Sequence, residues 1–167
     1  MRGSVAGAIA AVKRRVGGTT DAISLLENDH RRMEDLLKRG EETTERAVAG
    51  RRELLDSVTT ELALHELIEE QVLYPALQAH PEAKDIVLEG FQEHHVVDLI
   101  VKELHEVATD NEMWGAKFKV LKENIEHHIQ EEEGQMFRTA RGLFSQEDLE
   151  AMGAQMAAMK AQAKGGR

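Results

Sequence analysis

The sequence predicts an all-α protein, an up-down-up-down four-helix bundle with a short extra helix at its C-terminus. Three observations carry that expectation. The chain has only two prolines and few aromatics, four Phe, one Trp and one Tyr, in a background dense in Ala, Leu, Glu and Lys. Such straight-chain residues lose little rotamer freedom in a helix. Apolar residues recur in steps of three or four along four long segments, and polar or Gly/Pro clusters separate those segments. At 167 residues with 41% hydrophobic content, the chain suits one domain with a real core.

The first helix follows "GGTTD", with Thr20 or Asp21 as N-cap, carries Ile23, Leu26, His30, Met33 and Leu37 on one face, and stops near Gly40. The second runs from about Arg51 to Leu73, where Pro75, which lacks an amide donor and crowds the preceding turn, ends or kinks it. A polar loop around "AHPEAKD" leads to a third helix marked by Val87, His94, Val97, Val101 and Leu104. After "ATDNE" comes the fourth, marked by Leu121, Ile125, His128, Glu132 and Met136. A fifth begins at "SQED", where Ser145 and Asp148 resemble a capping box; it is expected to lie across one end of the bundle or to be partly mobile. The expected organisation is an N-terminal extension over 1–20, disordered or a short helix, a bundle over 21–140, and a C-terminal helix and tail over 141–167.

Charge and cysteine content narrow the function classes. A net charge of -10 argues against a nucleic-acid surface, which needs a basic stripe to displace counterions from phosphates. The absence of Cys removes disulfides, zinc-thiolate sites and thiol catalysis, and fits a reducing, cytoplasmic location. No run approaches transmembrane length. In "MRGSVAGAIAAVKRR" the short Ala- and Gly-rich run lacks a clean cleavage site, so a signal peptide is not expected.

The second helix poses the central question. Val58, Leu62, His65, Glu69 and Val72 share one face, so a histidine and a glutamate are set in the stripe that should be apolar. The arrangement repeats. His65, Glu69, Glu70, Leu73 and Tyr74 are matched at identical spacing by His128, Glu132, Glu133, Met136 and Phe137, and an acid-His pair precedes each copy, Asp29-His30 and Glu93-His94. Two copies of one helical hairpin would pack with pseudo-twofold symmetry.

A single core histidine is more often a hydrogen-bonded structural group than a ligand. Four of them, with Glu69 and Glu132, reverse the balance, because an up-down-up-down bundle brings all six to one level. Burying two carboxylates is costly without partners, and the inward stripes carry no Lys or Arg at that depth. A cation resolves the cost. Imidazole with carboxylate suits iron, manganese or zinc, and six donors exceed one closed tetrahedral zinc site. Two ions fit better: with both glutamates bridging and a solvent bridge, about ten of the twelve positions on two six-coordinate ions are filled. Room remains for dioxygen, peroxide or nitric oxide.

The spaced pattern His30, His65-x3-Glu69, His94, His128-x3-Glu132, with the phrases "EHHVVDLI" and "EHHIQEEEGQMF", resembles the hemerythrin-like or HHE cation-binding domains over roughly residues 21 to 140. The resemblance implies a four-helix bundle around a non-haem di-iron centre, two iron ions with a bridging oxo or hydroxo. Its expected roles are binding or reacting with dioxygen, peroxide or nitric oxide, catalase- or peroxidase-like turnover, or, alternatively, non-enzymatic iron binding or redox sensing in oxidative stress. The expected metal ligands are His30, His65, Glu69, His94, His128 and Glu132, and no separate catalytic residue is assigned.

Two departures separate the chain from the oxygen-carrying hemerythrins. Where they have a further His one turn after the third-helix ligand, this chain has Asp98: a solvated residue, an acceptor for an imidazole N–H, or a ligand, in that order. Their fourth-helix carboxylate is five residues after its His, which here is Glu133 rather than Glu132. Glu66 can also turn toward the centre. His95 and His127 point about 100 degrees off the ligand face, and His80 and His105 are read as solvated. Glu70 is read as part of a wet acidic face, and Tyr74 and Phe137 as a core layer rather than redox relays. A ferritin-like site needs Glu-x-x-His twice, and only Glu27-x-x-His30 fits.

Overall fold

The computed structural model of the chain describes residues 20–166; the expected N-terminal extension lies almost wholly outside them. Within the described residues the chain is nearly all helix, without strands, in the order α1 (Ala22–Glu41), α2 (Val48–Ile68), a π turn (Glu69–Leu73), α3 (Tyr74–Gln78), a short 3-10 turn (Pro81–Ala83), α4 (Lys84–Glu106), α5 (Glu112–Glu131), a second π turn (Glu132–Met136), α6 (Phe137–Leu143) and α7 (Gln146–Gly165). Each π turn joins its flanking helices into one continuous rod, so the bundle has four rods, up, down, up and down, plus α7.

Local chemistry sets the helix ends. The Asp21 carboxylate accepts the Ser24 backbone N–H at 3.0 Å, which makes Asp21 the N-cap of α1, while Lys38 and Arg39 stand in its last turn where the helix dipole favours them. Asn111 caps α5 by accepting from the Met113 N–H at 2.8 Å. Ser145 and Asp148 form the reciprocal capping box of α7. Arg51, buried at the start of the second rod, donates to Thr43 Oγ1 at 2.9 Å and to the Thr109 carbonyl at 2.8 Å, and lies over the Trp114 ring at 4.6 Å. One guanidinium thereby ties together two of the interhelical loops.

The second rod does not stop at Pro75; it runs on to Gln78. The wide turn just ahead, in which the Tyr74 N–H donates to the Glu69 carbonyl five residues back, opens the helix where the proline ring would otherwise clash. The C-terminal helix also departs from expectation. Its 20 residues begin at the expected cap and run to the expected tail, but they neither cross the end of the bundle nor stand apart. Lys160 reaches Asp29, and Gly153 sits so close to Thr20 and Asp21 that an added Cβ would come within 2.2 Å of the Thr20 carbonyl oxygen; α7 therefore runs beside α1 in the same direction.

Two apolar clusters fill the bundle. One gathers Ile23, Leu26, Ile68, Leu73, Tyr74, Leu77, Val87, Met136, Phe137, Met152 and Met156; the other gathers Met33, Leu37, Leu55, Val58, Val101, Leu104, Trp114, Phe118, Leu121 and Ile125. A buried polar layer separates them. Among the described residues no helix is long and apolar enough to cross a membrane.

Candidate metal centre

The polar layer is built by all four rods. His30 comes from the middle of α1, His65 from the last turn of α2, His94 from the middle of α4 and His128 from the last turn of α5, while Glu69 and Glu132 open the two π turns. All six are buried, with Glu69 at 0% exposure and Glu132 at 1%. Ligand atoms of His30, His65, Glu69 and Glu132 lie within 4.8 Å of one another, and so do those of Glu69, His94, His128 and Glu132. The two groups share the glutamates and divide the histidines two and two. The Nε2 atoms of His30 and His65 are 3.2 Å apart, as are those of His94 and His128.

A carboxylate stands behind every imidazole. Nδ1 of His30 donates to Glu133 at 2.8 Å, that of His94 to Glu70 at 2.9 Å, and that of His128 to Glu93 at 2.6 Å, while that of His65 faces Asp29 at 3.5 Å. These acceptors hold the proton on Nδ1, which turns all four Nε2 lone pairs toward the shared centre. Asp29 is held in turn by Lys160, whose Nζ donates to both its oxygens at 2.6 Å, and by Arg32.

Four inward lone pairs and two buried carboxylates form a donor set that lacks its own positive charge. Both Glu69 oxygens are buried without a hydrogen-bond partner, although Nε2 of His65 and of His94 approach them to 3.3 and 3.2 Å. With protons as the available cations, the electrostatics follow. Burial alone would lower the His65 and His94 pKa values, but the Glu69 charge and its contacts outweigh it, so His65 rises well above the usual imidazole range and His94 is pushed up to about 9. Burial raises Glu132, yet the His128 charge and the bonds from His30 and His65 carry it well below the usual carboxylate range. The residue types fit a cation such as iron, manganese or zinc.

The π turns add an aromatic to each half. Their i to i+5 bonds, Tyr74 N–H to the Glu69 carbonyl and Phe137 N–H to the Glu132 carbonyl, bring each aromatic round to the face of the glutamate. Tyr74 stacks on His94 at 5.4 Å and Phe137 on His30 at 5.5 Å. Tyr74 is more than the core layer expected: its hydroxyl donates to Glu132 Oε1 at 3.1 Å and sits 3.3 Å from His94 Nε2. Gly90 makes room for it, since a Cβ there would stand 2.6 Å from the hydroxyl oxygen.

The other residues singled out in the sequence fall outside the inner layer. Glu133, the alternative ligand, is the partner of His30 and pairs also with Arg31. Glu66 is half-buried beside the layer, its carboxyl pushed up to about 7 by burial and by the charges of Asp98 and Glu69. Asp98 and His95 are exposed. Exposed His127 lies near Glu93 and Glu131 on the surface. His105 is exposed against Thr59, whereas His80, expected in solvent, is half-buried edge-on to Phe144. Glu70, read as wet, is bonded to His94 instead. The signal for the four outer acids was present: Asp29 and Glu93 immediately precede His30 and His94, and Glu70 and Glu133 immediately follow Glu69 and Glu132.

A cavity of about 20 Å³ lies against the layer, lined by Asp29, His30, Glu61, His65, Ile125 and His128 among others. That is room for about one water-sized molecule. Glu61 also borders an open surface groove with Arg31, Arg32 and Asp56.

Comparison with known proteins identifies the family and the fold. The family model of the hemerythrin HHE cation binding domain matches residues 21–140. The crystal structure of a hemerythrin HHE cation-binding domain-containing protein from Mycobacterium kansasii is similar at 25% sequence identity, with a TM-score of 0.78, over 88% of this chain and 89% of that one. No curated protein matches the chain.

Proposed function

The chain belongs to the hemerythrin HHE cation-binding domain family, a membership that implies metal binding, and on that premise we propose that it is a non-haem di-iron protein that binds or reacts with dioxygen, peroxide or nitric oxide. The observation that carries the proposal is the pair of donor groups sharing Glu69 and Glu132. In this reading His30 and His65 would hold one ion and His94 and His128 the other, with Glu69 and Glu132 available to both. Iron bound there would supply electron exchange with a small ligand and a Lewis-acidic pull on it.

The remaining work belongs to the side chains. Asp29, Glu70, Glu93 and Glu133 keep the imidazoles in the donor tautomer and stiffen their orientation. Tyr74, a neutral phenol whose pKa burial and the charges of Glu69 and Glu132 push up, gives its hydroxyl proton to the hydrogen bond that holds Glu132 on the interior side. The small cavity beside His30, His65 and His128 selects for a ligand of few atoms and excludes bulk water. The test is anaerobic loading with ferrous iron, then metal analysis and absorption spectroscopy under dioxygen, nitric oxide and peroxide; two ions per chain and a new charge-transfer band on exposure are expected, and fewer than two ions would refute the proposal.

A second reading, an iron-binding or redox-sensing module without turnover, is favoured by the position of the donors. Because they form the layer between both apolar clusters, occupancy would change the stability of the whole bundle. Tight uptake with a large rise in melting temperature, and no consumption of peroxide, would select it.

A further inference from the structure

The two halves of the centre are related in sequence but differ in what stands behind them. On the His94 and His128 side, the outer carboxylates are Glu70 and Glu93, and among the described residues neither pairs with a lysine or arginine. On the His30 and His65 side both outer carboxylates are shared with cations: Glu133 with Arg31, and Asp29 with Arg32 and Lys160. Arg31 and Arg32 are more than half exposed, and water screens them. Lys160 is different. It is buried, comes from α7, 131 residues along the chain from Asp29, and grips both oxygens at 2.6 Å.

One of the four distances stands apart. Three outer carboxylates sit 2.6 to 2.9 Å from their imidazole Nδ1 atoms, whereas Asp29 stands 3.5 Å from that of His65. A carboxylate that already accepts from an ammonium is a poorer acceptor for an imidazole N–H, and a weaker bond there leaves Nε2 on the same ring a poorer electron donor.

We propose that Lys160 is a positioning residue for the metal centre: by drawing Asp29 away from His65 it weakens that imidazole as a donor and makes the His30 and His65 position the weaker of two inequivalent metal positions. The extra helix then tunes the centre as well as bracing the bundle. This inference rests on the ligand assignment proposed above.

The experiment compares the full chain with K160M, K160Q and K160R. In the metal-free protein, the Nδ1 proton of His65 should move downfield by NMR in K160M and K160Q as Asp29 closes on it, and should stay near the wild-type position in K160R. Anaerobic calorimetry with ferrous iron alone should show two unequal steps in wild type, the weaker tightening by about tenfold in K160M and K160Q. K160R should restore the spacing of the steps. A bracing role alone would lower the melting temperature and leave both the proton shift and the step ratio where they were. An unchanged shift and ratio, or a weaker step that weakens further, overturns the inference. Wild type that takes up fewer than two ions overturns the ligand assignment, a failure the metal-free proton shift keeps separate. K160Q carries the test if K160M does not fold.

Discussion

Glu69 and Glu132 each put a carboxylate oxygen within 4.8 Å of the other in the middle of the bundle, both essentially sealed from solvent. Two like charges at that depth are tolerable only with positive charge between or around them. The surrounding groups are imidazoles, which can take protons or leave their lone pairs to a metal, and the choice between the two sets the behaviour predicted below.

Removing either of the two shared carboxylate charges should disable the proposed centre. Glu69→Gln and Glu132→Gln keep the shape but not the charge, so both are expected to lose bound metal nearly as completely as His65→Ala or His128→Ala. His105→Ala should retain it. His80→Ala, which removes an edge contact with Phe144, should retain metal while costing about 0.5 to 1 kcal/mol. Metal analysis of the purified variants with parallel thermal melts checks all six, and equal metal content across the set would contradict the assignment.

Metal-free and metal-bound protein should respond oppositely to pH. His94 is raised from an ordinary 6.5 to about 9 in the folded state, so its contribution to stability is full below about pH 6.5 and disappears as pH rises through about 9. Asp29 is the reverse case: lowered from 3.8 to about 2, against burial, by bonds from His65 and Lys160, it stabilises above about pH 4 and is lost as pH falls through about 2. Metal-free protein should therefore lose denaturation midpoint between pH 6.5 and 9, while metal affinity rises over the same range because the imidazole protons must leave first. A metal-free midpoint that is flat or rises from pH 6.5 to 9 would contradict the charge distribution.

Tyr74 and Gly90 should be coupled. Gly90→Ala forces a Cβ to 2.6 Å from the Tyr74 hydroxyl and is expected to cost about 1 to 3 kcal/mol. Tyr74→Phe removes the bond to Glu132 at a cost of about 1 kcal/mol. With the hydroxyl gone, Gly90→Ala should cost less, and urea denaturation of the single and double variants measures the difference; strict additivity would argue against the contact.

Glycine substitutions should separate the docked helix from the exposed ones. Gly153→Ala drives a Cβ into the backbone of Thr20 and Asp21 and should loosen α7 from α1, costing about 1 to 3 kcal/mol. Gly50→Ala meets nothing within 4 Å and should stabilise α2 by about 0.5 to 1 kcal/mol. Opposite signs in thermal melts are expected.

The bundle was legible because its information is periodic: inward positions of each rod recur in steps of three or four, so the six inner residues announced themselves as polar intruders in apolar stripes. Their outer partners were marked only as neighbours of the inner residues, with no sign of which imidazole each would reach. Glu70, Glu93 and Glu133 each sit next to an inner residue in sequence, hence about 100 degrees away round the helix, and only the crossing of a neighbouring rod puts an imidazole there. The π turns left no mark because no side-chain preference encodes an i to i+5 bond, and without them Tyr74 reads as core. Lys160 was hidden by distance along the chain. The course of α7 was likewise set by tertiary fit, at Gly153 and Asp29, and not by its own weak amphipathicity.

The measurement that bears most directly on the centre is Mössbauer spectroscopy combined with iron analysis on protein loaded anaerobically with ferrous iron-57. Two irons per chain, resolved as two inequivalent sites and both absent from Glu69→Gln, are the expected result. One iron or none per chain, or a pair retained undiminished when Glu69 becomes glutamine, would contradict a centre bridged by Glu69 and Glu132.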